Sequence, residues 1–377
     1  MNVALMEKPV WIDRPPMLES MVKELEKCEL LAVDTESNSL YVYQEQVCLI
    51  QFSTGDADFL VDPLALSDLS PLSYIFSSAK IEKIFHAAEY DIICLKRDFG
   101  FKFNHIFDTM VAARVLGKQA VGLATILKDT YGIEMDKRYQ RANWGRRPLP
   151  ASLLAYARLD THYLIELRNC LKAELERGGR WELAREDFVR LCKTSIPNTD
   201  NGVASCYRIP GSQELTSTQL GVLSALCEYR DEQARQANLP PFKIFSNKTL
   251  LQIASSKPRS VEDLQQVQGL SSRLVRQHAY GLLETVERGM GMQPAQRNPF
   301  NARPSEAFLY RLEALRCWRK DTGAAMGVPS DVILPREVLE MIAQANPKRL
   351  EDLAEIMCDL PHRLERFGAM IMQVLRA

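Results

Sequence analysis

This sequence contains no C-x-x-C pair. Its nine cysteines are scattered and odd in number, which argues against a disulfide framework or a structural zinc site. Each is expected to serve as a small core residue in a reducing cytoplasm. No stretch approaches the roughly 18 apolar residues of a membrane span. The opening stretch MNVALMEKPVWIDRPPML is broken by charge and proline and lacks the apolar core of a signal peptide. A cytoplasmic protein without membrane contact is therefore expected. Net charge is nearly absent as well, at -1, so any nucleic-acid contact must come from local patches instead of a global field.

What the sequence does have is ordinary globular material, 46% apolar and 25% charged over 377 residues. That length exceeds one ordinary core and implies two or three domains. Two stretches rich in Ser, Asn, Gly and Pro, at 195–213 and 289–305, read as linkers. The parts after them repeat one another. Sliding the sequence by 89 residues aligns Leu220 with Leu309, Arg230 with Arg319, Pro240 with Pro329, Ile253-Ala254 with Ile342-Ala343, and Glu262-Asp263-Leu264 with Glu351-Asp352-Leu353. One residue is added where QGL of the first copy meets MCDL of the second. The period is too long for a stacked solenoid. Helical apolar spacing and few strand signals make each copy a small helical bundle. The expected domains are 1–194, 212–293 and 301–377.

The N-terminal part differs. Apolar runs at 30–34, 47–53, 58–61 and 83–86 have strand length, and TGDAD between the second and third reads as a hairpin turn. Helical patterns follow at EYDIICLKRDF, DTMVAARVLG, LATILKDTYG and one long stretch from Ala151 to Arg177. Strands first, then alternating strands and helices, imply a mixed sheet covered by helices.

Asp34 and Glu36 end the first apolar strand and share one side of it. Asp91 follows a short strand on a helix, and Asp160 shares a helix face with Tyr156 one turn earlier. All four carboxylates sit in or beside apolar patterns, where uncompensated charge is costly. Hard divalent cations such as Mg²⁺ or Mn²⁺ would offset that repulsion, and a pair of them supports phosphodiester cleavage. From the residues alone, Asp34 and Glu36 read either as metal ligands or as a solvated strand end.

Three segments, AVDTES, FHAAEYD and YARLDTHYL, together resemble the exonuclease motifs of the DEDD superfamily, in the order and spacing of the ribonuclease D family. The resemblance implies an α/β ribonuclease-H-like domain followed by two small all-α bundles similar to the helicase-and-ribonuclease-D C-terminal (HRDC) domain. It implies Asp34, Glu36, Asp91 and Asp160 as ligands of two divalent ions, with Tyr156 beside the attacking water. It also implies a 3′-to-5′ exoribonuclease acting on RNA 3′ ends such as tRNA precursors. A DNA-directed exonuclease and a non-catalytic RNA-binding scaffold are the alternatives. His86, His162 and Asp108 are read as structural or flanking. The basic segment KRYQRANWGRRPL, with Lys137, Arg141, Trp144 and Arg147, is expected to grip the RNA backbone and offer a stacking surface. The second helical copy departs from the pattern at Cys358 and at Glu337, which stands where the first has Lys248. Removing residues 301–377 is therefore expected to do less harm to cleavage of a short single-stranded RNA than neutralising Arg141 and Arg147 together, and more to structured substrates.

Overall fold

The computed structural model describes residues 8–197, 206–292 and 305–376; the side chain of Lys137 and parts of both linkers lie outside that set. Contacts group the chain into two units, not three. One joins Met1–Ser37, Val47–Ile196 and Pro304–Ala377; the other joins Asn38–Gln46 and Pro197–Arg303.

The larger unit is built on a six-stranded mixed sheet: β1 (Val10–Ile12), β2 (Leu30–Ser37), β3 (Val47–Ser53), β4 (Asp58–Val61), β5 (Glu82–Phe85) and β6 (Ile106–Asp108), in the spatial order β1-β4-β3-β2-β5-β6. β2 runs antiparallel to β3 and parallel to β5, so it is central. Every residue of β3 is buried, which its unbroken VCLIQF run requires, since both faces are covered. The hairpin between β3 and β4 turns at Gly55, whose φ of +89° suits glycine alone. The sheet is covered by helices α1 (Pro15–Leu25), α2 (Ser73–Ser77), α3 (Glu89–Phe99), α4 (Thr109–Val115), α5 (Leu123–Tyr131), α6 (Ala151–His162), α7 (Leu164–Arg177) and α8 (Trp181–Cys192). The expected single helix from Ala151 to Arg177 is two, broken at Tyr163.

The second helical copy belongs to this unit and not to a separate domain of its own. Leu312, Leu315, Ile333, Leu334, Phe367 and Ile371 share one apolar core with Ala32, Ile84 and Phe107 of the sheet and Leu167, Leu171 and Phe188 of α7 and α8. Arg363, on the helix Pro361–Arg376, has no exposed surface. Its guanidinium donates to Glu186 Oε2 at 2.8 Å, Asp187 Oδ2 at 2.7 Å and the Leu183 and Val332 carbonyls. Glu186 Oε1 also accepts from the His362 and Arg363 backbone N–H groups at the start of that helix, satisfying donors that a helix leaves unpaired.

The other unit is the first helical copy. Its two long helices, Ser217–Ala237 and Ser272–Gly291, meet at paired glycines: a Cβ at Gly221 would lie 2.6 Å from the Gly289 carbonyl oxygen. The segment Asn38–Gln46, which links β2 to β3, packs here. Tyr43 donates its hydroxyl to Asp231 at 2.8 Å, and Lys243 lies over the Tyr41 ring. Cys206 and Cys227 are joined in a disulfide, so two cysteines depart from their expected role as separate core residues. Among the described residues, no helix is long and apolar enough to cross a membrane.

Candidate active site

The site forms where the apolar half of β2 ends. Leu31 and Val33 point into the core under α1 and α3, and the alternation of a strand then places Asp34 and Glu36 on the opposite face, which α6 crosses. Helix α6 is pinned to β4 through its other side: Arg158 Nε donates to Asp58 at 2.5 Å, and His162 Nδ1 lies 2.9 Å from the same carboxylate. Burial pushes the Asp58 carboxyl up, but hydrogen bonds from His162, Ser53 and Arg158 outweigh it and hold Asp58 below the usual range. His162 is thus a fastening for the helix. With α6 fixed in this way, Tyr156 and Asp160 face the β2 carboxylates.

Ligand oxygens of Asp34, Glu36 and Asp160 all lie within 4.8 Å of one another. They line an open cavity together with Tyr156, His86 and Gln140. Burial is the main cause that raises the carboxyls of Asp34, Glu36 and Asp160 well above the ordinary range, and their mutual charge, with that of Asp91, adds to it. Oxygen-only donors crowded at this spacing repel one another unless protonated or bridged by a cation, so the set fits a hard divalent ion.

Asp91 stands apart from that trio. It lies in the first turn of α3, and Thr35 Oγ1, on the other face of β2, donates to its carboxylate. Burial lifts Asp91 to about 7 against the opposing effect of Thr35. Its position is set by Asp108, the last residue of β6, where the strand turns into α4. One Asp108 oxygen caps α4 through the Met110 and Val111 N–H groups, and the two oxygens accept from Ala87 and Ala88. Those bonds hold Ala87 at a φ of +65°, a left-handed conformation that a side chain disfavours. The turn launches α3 with Asp91 aimed toward the end of β2. His86, one residue earlier, has Nδ1 2.9 Å from Thr109 Oγ1 and is kept neutral by burial.

Tyr156 is buried. Its phenol is pushed up by burial and by the charges of Asp160, Glu36 and Asp34, against a hydrogen bond with Gln140. It therefore keeps its proton.

The basic segment differs from expectation. Trp144 is only 1% exposed and packs among Leu49, Leu60, Leu153 and Tyr156, its ring centroid 6.3 Å from that of Tyr156. It supports the tyrosine from behind and presents no stacking surface. Arg147 makes a two-pronged ion pair with Asp62 at 2.6 and 2.7 Å and donates to the Cys48 carbonyl, so its charge is already engaged inside the fold. Arg141 is exposed on the short 3-10 segment Lys137–Arg141, and the Lys137 side chain lies outside the described residues.

Sequence reasoning did not single out Thr35, Gln140 or Gln51. Gln51 sits directly opposite Asp34 on β3, fully buried, with neither amide atom bonded to a described residue. A polar residue inside an otherwise apolar central strand is the sequence signal that marks it.

Residues 9–176 match the family described as 3′-5′ exonuclease, and residues 219–286 and 308–375 each match the HRDC domain. Ribonuclease D of Gluconacetobacter diazotrophicus is 29% identical over 88% of this chain and 86% of its own length. Protein RRP6-like 1 of Arabidopsis thaliana is 32% identical over 82% of this chain, and RRP6-like 2 of the same plant is 31% identical over 75%. The chain spans about half the length of the former and a third of the latter. Among solved structures, Escherichia coli RNase D superposes with a TM-score of 0.73 over 98% of this chain and 99% of its own at 23% identity, a likeness of fold. The catalytic core of RRP6 from Trypanosoma brucei reaches 0.65 at 29% identity over 77% of this chain and 82% of its own.

Proposed function

Because the chain belongs to the ribonuclease D family of 3′-5′ exonucleases with paired HRDC domains, we propose that it removes nucleoside 5′-monophosphates one at a time from RNA 3′ ends. tRNA precursors are among the proposed substrates, in keeping with the similarity to ribonuclease D over most of both chains. The observation that carries the chemistry is the convergence of Asp34, Glu36 and Asp160 on one point in an open cavity beside Tyr156.

Asp34, Glu36 and Asp160 would hold one divalent cation, and Asp91, with the Asp34 carboxylate, a second, as Mg²⁺ or Mn²⁺. When bound, such ions supply charge for the scissile phosphate and lower the pKa of water. The residues of the chain do the rest. Tyr156, locked in its protonated form, orients the attacking water with its hydroxyl, and Gln140 and Trp144 hold the ring in place. Thr35 keeps Asp91 turned toward the strand. Arg141 and Lys137 lie in the segment proposed to meet the RNA backbone.

The decisive experiment compares matched single-stranded RNA and DNA, labelled at the 5′ end, with Mg²⁺, with Mn²⁺ and with EDTA. Stepwise shortening of RNA from its 3′ end, dependent on the ion and absent in Asp160→Asn, is expected. Internal cuts, equal activity in EDTA, or a preference for DNA would contradict the reading. A tRNA precursor with a 3′ extension, trimmed in the same assay, tests the substrate. Tyr156→Phe should lower turnover about 10²-fold with Mn²⁺ affinity unchanged.

The raised carboxyls also set a pH dependence. Below pH of about 4 both folded and unfolded chains keep these protons. From there to about 7, the value at Asp91, unfolded carboxyls ionise while the buried ones stay protonated. The folded chain then binds more protons, so stability falls as pH rises. In EDTA the melting temperature should drop between pH 5 and pH 8, and Mn²⁺ should abolish that drop; a flat profile in EDTA would disprove the linkage.

A further inference from the structure

Gln51 is fully buried, and its carboxamide has no hydrogen-bond partner among the described residues. Its cross-strand neighbour on β4 is Leu60 and its neighbour on β2 is Asp34. Leu49, two residues before it on the same face, packs with Leu60, Leu153 and Ala157. In those surroundings an aliphatic side chain would fit without the cost of burying an unsatisfied amide, about 1–3 kcal/mol. Of its two direct cross-strand neighbours, only Asp34 is polar. Opposed side chains of an antiparallel pair have Cβ atoms about 4.5–5.5 Å apart, which leaves the amide within reach of the Asp34 carboxylate.

Asp34 receives one hydrogen bond from the Thr35 backbone N–H. A carboxylate that grips a cation through one oxygen has lone pairs left on the other, and in a dry site these need donors that also orient the ligand. We propose that Gln51 is a positioning residue of the metal centre. In the structure no hydrogen bond joins the two groups; with the cation in place, the Gln51 Nε2–H donates to the Asp34 oxygen turned away from the ion and holds that carboxylate in its ligating orientation. The proposal rests on the reading of Asp34, Glu36 and Asp160 as a divalent-cation site. It goes beyond that reading by assigning a role to a residue outside the carboxylate set.

The test is Mn²⁺ binding to the full chain, followed by electron paramagnetic resonance of the free ion, for wild type, Gln51→Met and Gln51→Leu. Methionine keeps the length of the side chain and removes only the amide; leucine is the second choice if methionine does not fold. Mn²⁺ affinity should fall about 10-fold or more. The melting temperature in EDTA should hold or rise, because an unpaired buried amide is gone. Cleavage should be impaired at low Mn²⁺ and recover at saturating Mn²⁺, a shift in activation constant without loss of turnover. Wild-type Mn²⁺ affinity in either folded variant overturns the proposal, and so does a lower melting temperature in EDTA with affinity unchanged, which assigns Gln51 to packing alone. If wild type itself binds no Mn²⁺, the cation-site reading falls and this proposal with it; if wild type binds and cleaves while the variants match it, only this proposal falls.

Discussion

The two helical copies descend from one pattern and have kept its internal wiring. Arg230 donates to the Phe245 carbonyl in the first copy, and Arg319 donates to the Leu334 carbonyl at the corresponding place in the second. Thr216 and Ser305 cap their first long helices, and Lys257 and Asn346 both turn left-handed at a helix end with φ of +49°. Their surfaces have parted. Counting the added residue, Arg363 occupies the place of Arg273, which is exposed in the first copy while Arg363 is wholly buried. Glu337 stands where the first copy has Lys248 and pairs with Arg190 of α8; Asp331 stands where it has Phe242 and pairs with Arg114 of α4. Asp359, beside the added position, pairs with Lys193. The departures that make the second copy look degenerate in sequence are the contacts that dock it onto the sheet-bearing part. A duplicated domain can keep its fold and exchange its surface for a place in a neighbour's core.

Removing the second copy should have the largest effect on that contrast. A chain lacking residues 305–377 exposes the apolar surface that Phe367, Ile371 and Leu334 cover. It should aggregate or lose its cooperative unfolding transition in urea, and a soluble, cooperatively folded product would undo the docking account. Next comes the arginine pair. Arg363→Ala leaves Glu186 and Asp187 without their buried partner and should cost about 3–5 kcal/mol, whereas Arg273→Ala should stay within about 0.5 kcal/mol; urea midpoints of the two variants decide it. The smallest effect is expected from Glu337→Lys, which sets like charges together at Arg190. The pair is largely solvated, so the loss should not exceed about 1 kcal/mol and should shrink in high salt. The reverse change in the first copy, Lys248→Glu, should leave stability unaltered.

Much of the architecture was legible because its signals are local. The bounds of α3, β3 and β4 follow from apolar periodicity and the turn at Gly55, and the duplication is visible without any structure. β1 and β6 were missed, since three residues are too few to show a period. The break at Tyr163 was missed because no glycine or proline marks it. In the site, the i and i+2 spacing of Asp34 and Glu36 and the i and i+4 spacing of Tyr156 and Asp160 are readable from the strand and helix they occupy. Trp144 and Arg147 were misread for a reason of distance: their neighbours, Asp62 and Leu60 among them, lie far back in the sequence, and composition alone cannot tell a basic loop in water from one folded onto a buried acid. Gln51 escaped notice because its meaning depends on which strand lies opposite.

The placement of Arg363 also bears on how the protein is made. Three of the residues that accept its hydrogen bonds, Leu183, Glu186 and Asp187, emerge from the ribosome well before it does, and the first helical copy is synthesised in between. That copy can close its own core early, with the help of a segment, Asn38–Gln46, made long before it. The part carrying the carboxylates cannot. Until the helix Pro361–Arg376 has been translated, Glu186 and Asp187 lack their counter-charge and the apolar side of α8 has no cover. Completion of the part that carries the carboxylates therefore waits until the second helical copy has been translated.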